Sequence, residues 1–228
     1  EGNGAVKVAV FPQEEVLQAC QRELDGLAKR EAYVLAKVDA RFTKIHMVER
    51  LFQKIAKQVD WDELAYRFVQ QLLEENGYRI PANRKEFSLR QVATLNERKE
   101  PMLRRDVQTW VEKSIEGDPG LCREFRMAMI RLCMRQLDAG DSDRVLATAV
   151  KEWLCGELRL ISGVKKALIY QKVSRHNARY MLSSLTRWLR LTGQGGLILS
   201  LDISRYFSKK SEVPIDGSLS FSSSATMD

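Results

Sequence analysis

The chain has 228 residues, of which 44% are hydrophobic and 29% are charged, a balance typical of globular proteins rather than of disordered or fibrous ones. Its net charge of +7 permits an acidic partner such as nucleic acid, although a charge of this size does not require one. No apolar stretch approaches the ~20 residues that span a bilayer, and no secretory signal is visible. We therefore expect a cytoplasmic protein without a membrane partner.

The first eight residues, Glu-Gly-Asn-Gly-Ala-Val-Lys-Val, have features of a phosphate-binding loop. Such a loop uses glycines whose N–H groups surround the phosphates, a lysine for the β and γ oxygens, and a Ser or Thr for Mg²⁺. Two positions depart, because Val6 replaces the glycine before the lysine and Val8 replaces the hydroxyl residue. A short glycine-rich chain end is the alternative interpretation. The predicted nucleotide-binding residues are Gly2, Asn3, Gly4, Ala5, Val6, Lys7 and Val8.

A helix and then a strand follow this loop. Apolar side chains recur at helical spacing in residues 13–30. Residues 32–39 then form an apolar run that ends in Asp39, which predicts a buried strand. The order of loop, helix and strand is that of a βαβ unit.

A second apolar run covers residues 195–202, after a helix-like stretch at 178–190. It predicts another buried strand of a parallel sheet. A carboxylate at the end of such a strand can hold the water shell of Mg²⁺ beside bound phosphates, so Asp202 is the predicted Mg²⁺ residue, acting through water. Alternatively, Asp202 only caps the next turn. Ile203 occupies the place of the Glu that orients water in an active P-loop ATPase.

Between these strands the pattern is helical, so we predict a large helical insertion at about residues 45–155. The predicted fold class is α/β, a P-loop NTPase (AAA-like) parallel sheet flanked by helices, as a single domain over residues 1–228. Because the sequence begins at Glu1 without a methionine, we expect it to be a fragment of a longer chain. The four cysteines are widely spaced without a C-x₂-C pair, which predicts free thiols rather than a zinc site.

Residues 158–201 contain no acidic residue, although the chain has 30 carboxylates. This segment could bind the phosphates of nucleic acid or of a nucleotide, or it could pair with acidic helices elsewhere. Residues 77–106 are also basic, and there a solvated helical face is the favoured interpretation. The cations of the acid-free segment are Arg159, Lys165, Lys166, Lys172, Arg175, Arg179, Arg187 and Arg190.

Taken in order, these segments resemble the BrxD-like ATP-binding proteins of BREX-type phage-defence clusters, a branch of the P-loop ATPases. Residues 1–7 look like the phosphate loop of that family and residues 33–39 like its second strand. Residues 153–157 are similar to its Trp-Leu-x-Gly-Glu segment, and residues 187–202 to its helix and Walker B strand. The resemblance implies ATP and Mg²⁺ as cofactors, a homo-oligomer, and other defence-system proteins and DNA as partners.

The departures at Val6, Val8 and Ile203 remove three groups that hydrolysis of Mg²⁺-ATP would use, whereas Lys7 and Asp202 remain. The resemblance therefore implies a degenerate ATPase-like protein that binds ATP weakly or acts as a scaffold in a DNA-directed complex, and it leaves enzymatic turnover open. The alternative is a basic helical nucleic-acid-binding or adaptor protein without nucleotide chemistry.

Overall fold

The computed structural model describes residues 4–11, 13–137 and 141–204. Two 3₁₀ helices, Arg84–Glu86 and Ile161–Ala167, connect longer elements. In chain order, those longer elements are α1 (Glu14–Arg30), β1 (Tyr33–Asp39), α2 (Val48–Ala56), α3 (Trp61–Glu75), α4 (Leu89–Leu95), α5 (Glu100–Glu116), α6 (Arg123–Arg135), α7 (Asp141–Cys155), α8 (Ala178–Leu191) and β2 (Gly196–Asp202).

The predicted α/β fold, a P-loop NTPase (AAA-like) sheet flanked by helices, is wrong. Within the described ranges the chain forms eight α-helices and a sheet of only two strands. Most of the buried hydrophobic cluster comes from α2 to α7, where helix packs on helix. The reason is that apolar stripes at helical spacing bury each other as well as they bury a sheet, so they do not require further strands.

Both predicted strands are present and pair parallel to each other. The register runs from Tyr33 opposite Gly196 to Asp39 opposite Asp202. The glycine pair before β2 has a steric reason, because a Cβ at Gly195 would lie 2.7 Å from the carbonyl oxygen of Glu31. The backbone just before β1 therefore approaches the residue before β2 too closely for any side chain there.

The outer edge of β1 is closed by a side chain. Gln58, which follows α2, accepts a hydrogen bond from the backbone N–H of Lys37 at 2.9 Å and donates one to its carbonyl oxygen at 3.0 Å. The Lys37 side chain forms an ion pair with Asp25 of α1 at 2.8 Å. These contacts hold the sheet between α1 and the end of α2.

The helical body is built around α3 and α6. Asp60 caps α3, since its side chain accepts a hydrogen bond from the backbone N–H of Glu63 at 2.9 Å. Trp61, the first residue of α3, meets the fully buried ring of Phe125 from α6 edge to face, with ring centroids 6.2 Å apart. Further along α3, Phe68 packs on Trp188 of α8 at 4.7 Å. This helix therefore joins α6 and α8 into one core.

Two polar contacts fix α8 against the turn before α6. The Asp118 carboxylate, 8% exposed, accepts hydrogen bonds from the Arg187 guanidinium at 2.9 Å and from the backbone N–H of Gly120 at 2.7 Å. One turn earlier on α8, the Ser184 hydroxyl accepts a hydrogen bond from the backbone N–H of Cys122 at 2.8 Å. Together with the apolar face of α8, these contacts set the helix in one orientation.

The four cysteines are free, as predicted. Cys20 is exposed on α1, whereas Cys133 is fully buried, and burial raises the pKa of the Cys133 thiol because the thiolate would lose its hydration. In the part of the chain that the structure covers, no helix combines the length and the apolar character needed to cross a membrane.

Candidate functional site

The predicted nucleotide loop lies in the exposed N-terminal segment. Gly2 and Asn3 fall outside the described residues, and residues 4–10, which include Gly4, Ala5 and Lys7, are exposed and belong to no helix or strand. Val6 is 91% and Val8 76% exposed. Lys7 precedes Glu14, the first residue of α1, by seven positions, whereas the lysine of a phosphate loop leads directly into a helix. The assignment of residues 2–8 to nucleotide binding stays a prediction.

The Asp202 side chain caps the turn that follows β2, which was the alternative to its predicted role at Mg²⁺. Its side chain accepts a hydrogen bond from the backbone N–H of Ser204 at 3.0 Å, as an Asx turn does. Its carbonyl oxygen accepts one from the N–H of Ala40 at 2.9 Å. Within the described residues, no group of three or more His, Cys, Asp or Glu side chains could hold a metal ion. Binding of Mg²⁺ through water at Asp202 remains a prediction, and Ile203 follows it without a carboxylate.

Asp39 lies opposite Asp202 in the sheet, and its charge is already neutralised by a neighbour. Arg41 donates to both carboxylate oxygens from its side chain, at 2.9 and 3.2 Å, and its backbone N–H donates to one of them at 2.7 Å. These hydrogen bonds hold the pKa of Asp39 below its ordinary value and raise the pKa of Arg41. The carboxyl ends of the two strands therefore carry one ion-paired carboxylate, Asp39, beside the exposed carboxylate of Asp202.

The acid-free segment carries seven exposed cations. We call this set the basic surface, and it consists of Arg159, Lys165, Lys166, Lys172, Arg175, Arg179 and Arg190. Throughout the described ranges, none of these seven side chains forms an ion pair with a carboxylate within 4 Å, whereas Arg187 of the same segment is paired with Asp118. Among the described residues, the interpretation that these cations pair with carboxylates elsewhere in the chain therefore holds for Arg187 alone, and its partner lies in a turn.

The backbone under the basic surface is held in place although much of it is irregular. Val164, Ala167 and Ile169 are fully buried, so they anchor the 3₁₀ helix and the turn after it. Trp153 of α7 donates its indole N–H to the carbonyl oxygen of Gln171 at 2.9 Å. Asn177, just before α8, accepts from the N–H of Ser174 at 2.8 Å. The lysines and arginines of the basic surface are therefore attached to backbone that is held in place by buried side chains and hydrogen bonds.

An open cleft of about 470 Å³ lies beside the start of this segment. Its lining includes the carboxylates Glu152 and Glu157 as well as Arg159 and Ser162. Glu157 is itself paired with Lys57 at 2.9 Å. The cleft is of mixed charge, and it shares Arg159 with the basic surface.

Two tyrosines in the acid-free segment were missed as candidate functional residues. Tyr170 is 57% exposed in the turn after the 3₁₀ helix, and Tyr180 is 67% exposed in the first turn of α8. The sequence carried a signal for them, because each aromatic lies among lysines and arginines in a segment without carboxylates. Aromatic rings interleaved with cations are typical of surfaces that bind nucleic acid.

Comparison with known proteins gives no further constraint: no protein-family model matches the chain, and neither a curated protein nor a solved structure is significantly similar to it.

Proposed function

We propose that this protein is a basic helical scaffold that binds nucleic acid through the basic surface, without nucleotide chemistry. The observation that supports it is the set of seven exposed cations on one acid-free segment, none with a carboxylate partner among the described residues. A nucleic-acid phosphate backbone has the complementary charge. The resemblance to phage-defence proteins supports a DNA-directed complex, with other defence-system proteins and further copies of the chain as partners.

The physical basis of this binding is the release of counterions. Each lysine or arginine that neutralises a phosphate frees a condensed cation from the nucleic acid, so the affinity falls steeply as salt is added. A surface of several fixed cations should therefore bind nucleic acid at low salt without strong preference for sequence, since contacts to phosphates carry no sequence information.

The double variant Lys165→Glu/Lys166→Glu tests the proposal. We expect its affinity for a labelled DNA oligonucleotide to fall about tenfold or more at low salt, and its salt slope to become shallower by about one for each lysine that contacts a phosphate. Fluorescence anisotropy over a series of salt concentrations measures both quantities. Both side chains are exposed, so thermal stability should not change.

The matched control is Arg105→Glu/Lys113→Glu on α5, which makes the same change of net charge at two exposed positions outside the acid-free segment. It should bind almost as well as the unaltered protein. An equal loss in both variants would mean that total charge, and not the basic surface, governs binding. Absence of binding by the unaltered protein at low salt would exclude the proposal.

The predicted nucleotide loop is tested separately, by calorimetry with ATP in the presence and absence of Mg²⁺. We expect Lys7→Ala to abolish any ATP binding that uses this loop, because the lysine is the group that would contact the β and γ phosphate oxygens. Unchanged affinity in the variant would exclude residues 2–8 as a nucleotide site. Since Val8 lacks a hydroxyl, we expect binding at this loop to gain little from Mg²⁺.

A further inference from the structure

We propose that the basic surface takes single-stranded nucleic acid in preference to duplex, with Tyr170 and Tyr180 as platforms on which unpaired bases stack. This inference rests on the proposed function, because it names the class of nucleic acid that the same surface would bind. The exposure of the two rings is the first observation that supports it.

The two tyrosines differ from the other described tyrosines in their surroundings. Tyr66 packs edge to face on Phe87 at 4.9 Å, and Tyr78 packs on Trp110 at 5.8 Å. Tyr33 lies against the glycine pair before β2. Tyr170 and Tyr180 have no ring contact with another aromatic side chain in the described part of the chain, and more than half of each side chain is open to solvent. Both residues are therefore accessible to a ligand.

Both rings are attached to backbone that is anchored from below. Ile169, beside Tyr170, is fully buried, and so are Ala178 and Met181, which flank Tyr180. A ring on a fixed backbone loses little conformational freedom when a base stacks on it, because only two side-chain torsions are involved.

The solvent-exposed side of α8 carries cations as well as Tyr180, which lies about 80–100° around the helix from them. Arg179 and Arg190 are exposed, and their separation of eleven positions corresponds to about 16 Å along the helix axis. Ser183, also exposed, lies between them and adds a hydroxyl group that can donate to a phosphate oxygen, whereas the Thr186 hydroxyl already donates to the Ser183 carbonyl oxygen at 2.7 Å. This side of α8 thus combines phosphate contacts along its length with an aromatic ring near its first turn, which is the combination that proteins use for single strands.

Duplex nucleic acid would contact the cations of the basic surface but not the two tyrosine rings. In a double helix the base faces are stacked on each other, so an exposed tyrosine finds no free π-face, and only the phosphates remain for the cations. In a single strand the bases can turn outward onto the rings. The tyrosines should therefore add affinity for single strands without adding to the salt dependence.

The test compares a labelled oligothymidylate of about 16 nucleotides, which is the upper range of a single binding site, with a mixed-sequence duplex of the same length. The variants are Tyr170→Ala and Tyr180→Ala, each matched with the Phe substitution that keeps the ring. We expect each Ala variant to lose roughly tenfold in affinity for the single strand, with an unchanged salt slope and unchanged duplex affinity. The Phe variants should retain binding.

The possible outcomes separate this inference from the proposed function. If Lys165→Glu/Lys166→Glu weakens binding but both Ala variants bind the single strand normally, the stacking inference is overturned and the proposed function stands. If the unaltered protein prefers duplex, the inference is likewise overturned. If it binds neither oligonucleotide but binds vesicles of phosphatidylserine, the basic surface recognises an anionic lipid surface, and both proposals are wrong.

Discussion

Truncation of Phe125 to alanine should lower the free energy of unfolding by about 3–5 kcal/mol. The ring is fully buried at the junction of α3 and α6, where it meets Trp61 edge to face. Its removal loses the transfer free energy of the ring and leaves a cavity that the surrounding helices cannot fill completely. Urea denaturation followed by circular dichroism at 222 nm measures the change, since a helical protein has its strongest signal there.

The matched control is Phe42→Ala, in the turn after β1. That ring is 83% exposed, and its centroid lies 5.6 Å from the guanidinium carbon of Arg41. Its loss should change stability by no more than about 0.5 kcal/mol. Similar effects at Phe42 and Phe125 would contradict a core formed by the helices between α2 and α7, and would reopen the question of the fold.

Replacement of Arg187 by alanine should destabilise the protein by roughly 2–3 kcal/mol. Removing one partner of a buried ion pair costs about 3–5 kcal/mol, and the expected value is lower here because the arginine itself is half exposed and partly hydrated. The cost arises at Asp118, whose carboxylate is buried and would keep only its backbone hydrogen bond from Gly120. Thermal and urea denaturation measure the loss.

Arg179→Ala is the matched control on the same helix. Arg179 is exposed in the first turn of α8, where a positive charge opposes the helix dipole, so its removal should leave stability unchanged or raise it slightly. The two variants should also differ in their affinity for nucleic acid. Arg179 belongs to the basic surface, so its loss should weaken nucleic-acid binding. Equal stability of the Arg187 and Arg179 variants would show that the contact with Asp118 does not hold α8 in place.

The strands were predictable from the sequence, but the fold was not. Residues 32–39 and 195–202 are apolar runs bounded by breaks, and this local pattern predicted two buried strands of a parallel sheet. The structure confirms both strands and their parallel direction, but the predicted burial is wrong for β2, in which every residue is at least partly exposed. The extent of the sheet was wrong, because periodicity shows which face of a helix is buried but not what covers it. Trp61 and Phe68 both lie on the buried face of α3, and they are covered by Phe125 and Trp188 from distant helices.

Part of the candidate site could likewise be predicted from the sequence. The absence of carboxylates in residues 158–201 can be counted in the sequence, whereas the pairing of each cation cannot. Arg187 meets Asp118, which is 69 positions away, and this contact depends on how α8 packs beside the turn before α6. The exposure of Tyr170 and Tyr180 is likewise a property of packing, since an aromatic residue at helical spacing is more often buried.

The side chain of Gln58 determines at which edge the two-stranded sheet can pair with a further strand. Its amide supplies to Lys37 one donor and one acceptor, the two groups that the backbone of a neighbouring strand would supply. A strand from any source, whether from this chain, another copy or a partner, would have to displace this amide in order to join at β1. In the described ranges β2 pairs with β1 alone, so addition at β2 would displace nothing comparable. Gln58 thus makes extension of the sheet one-sided.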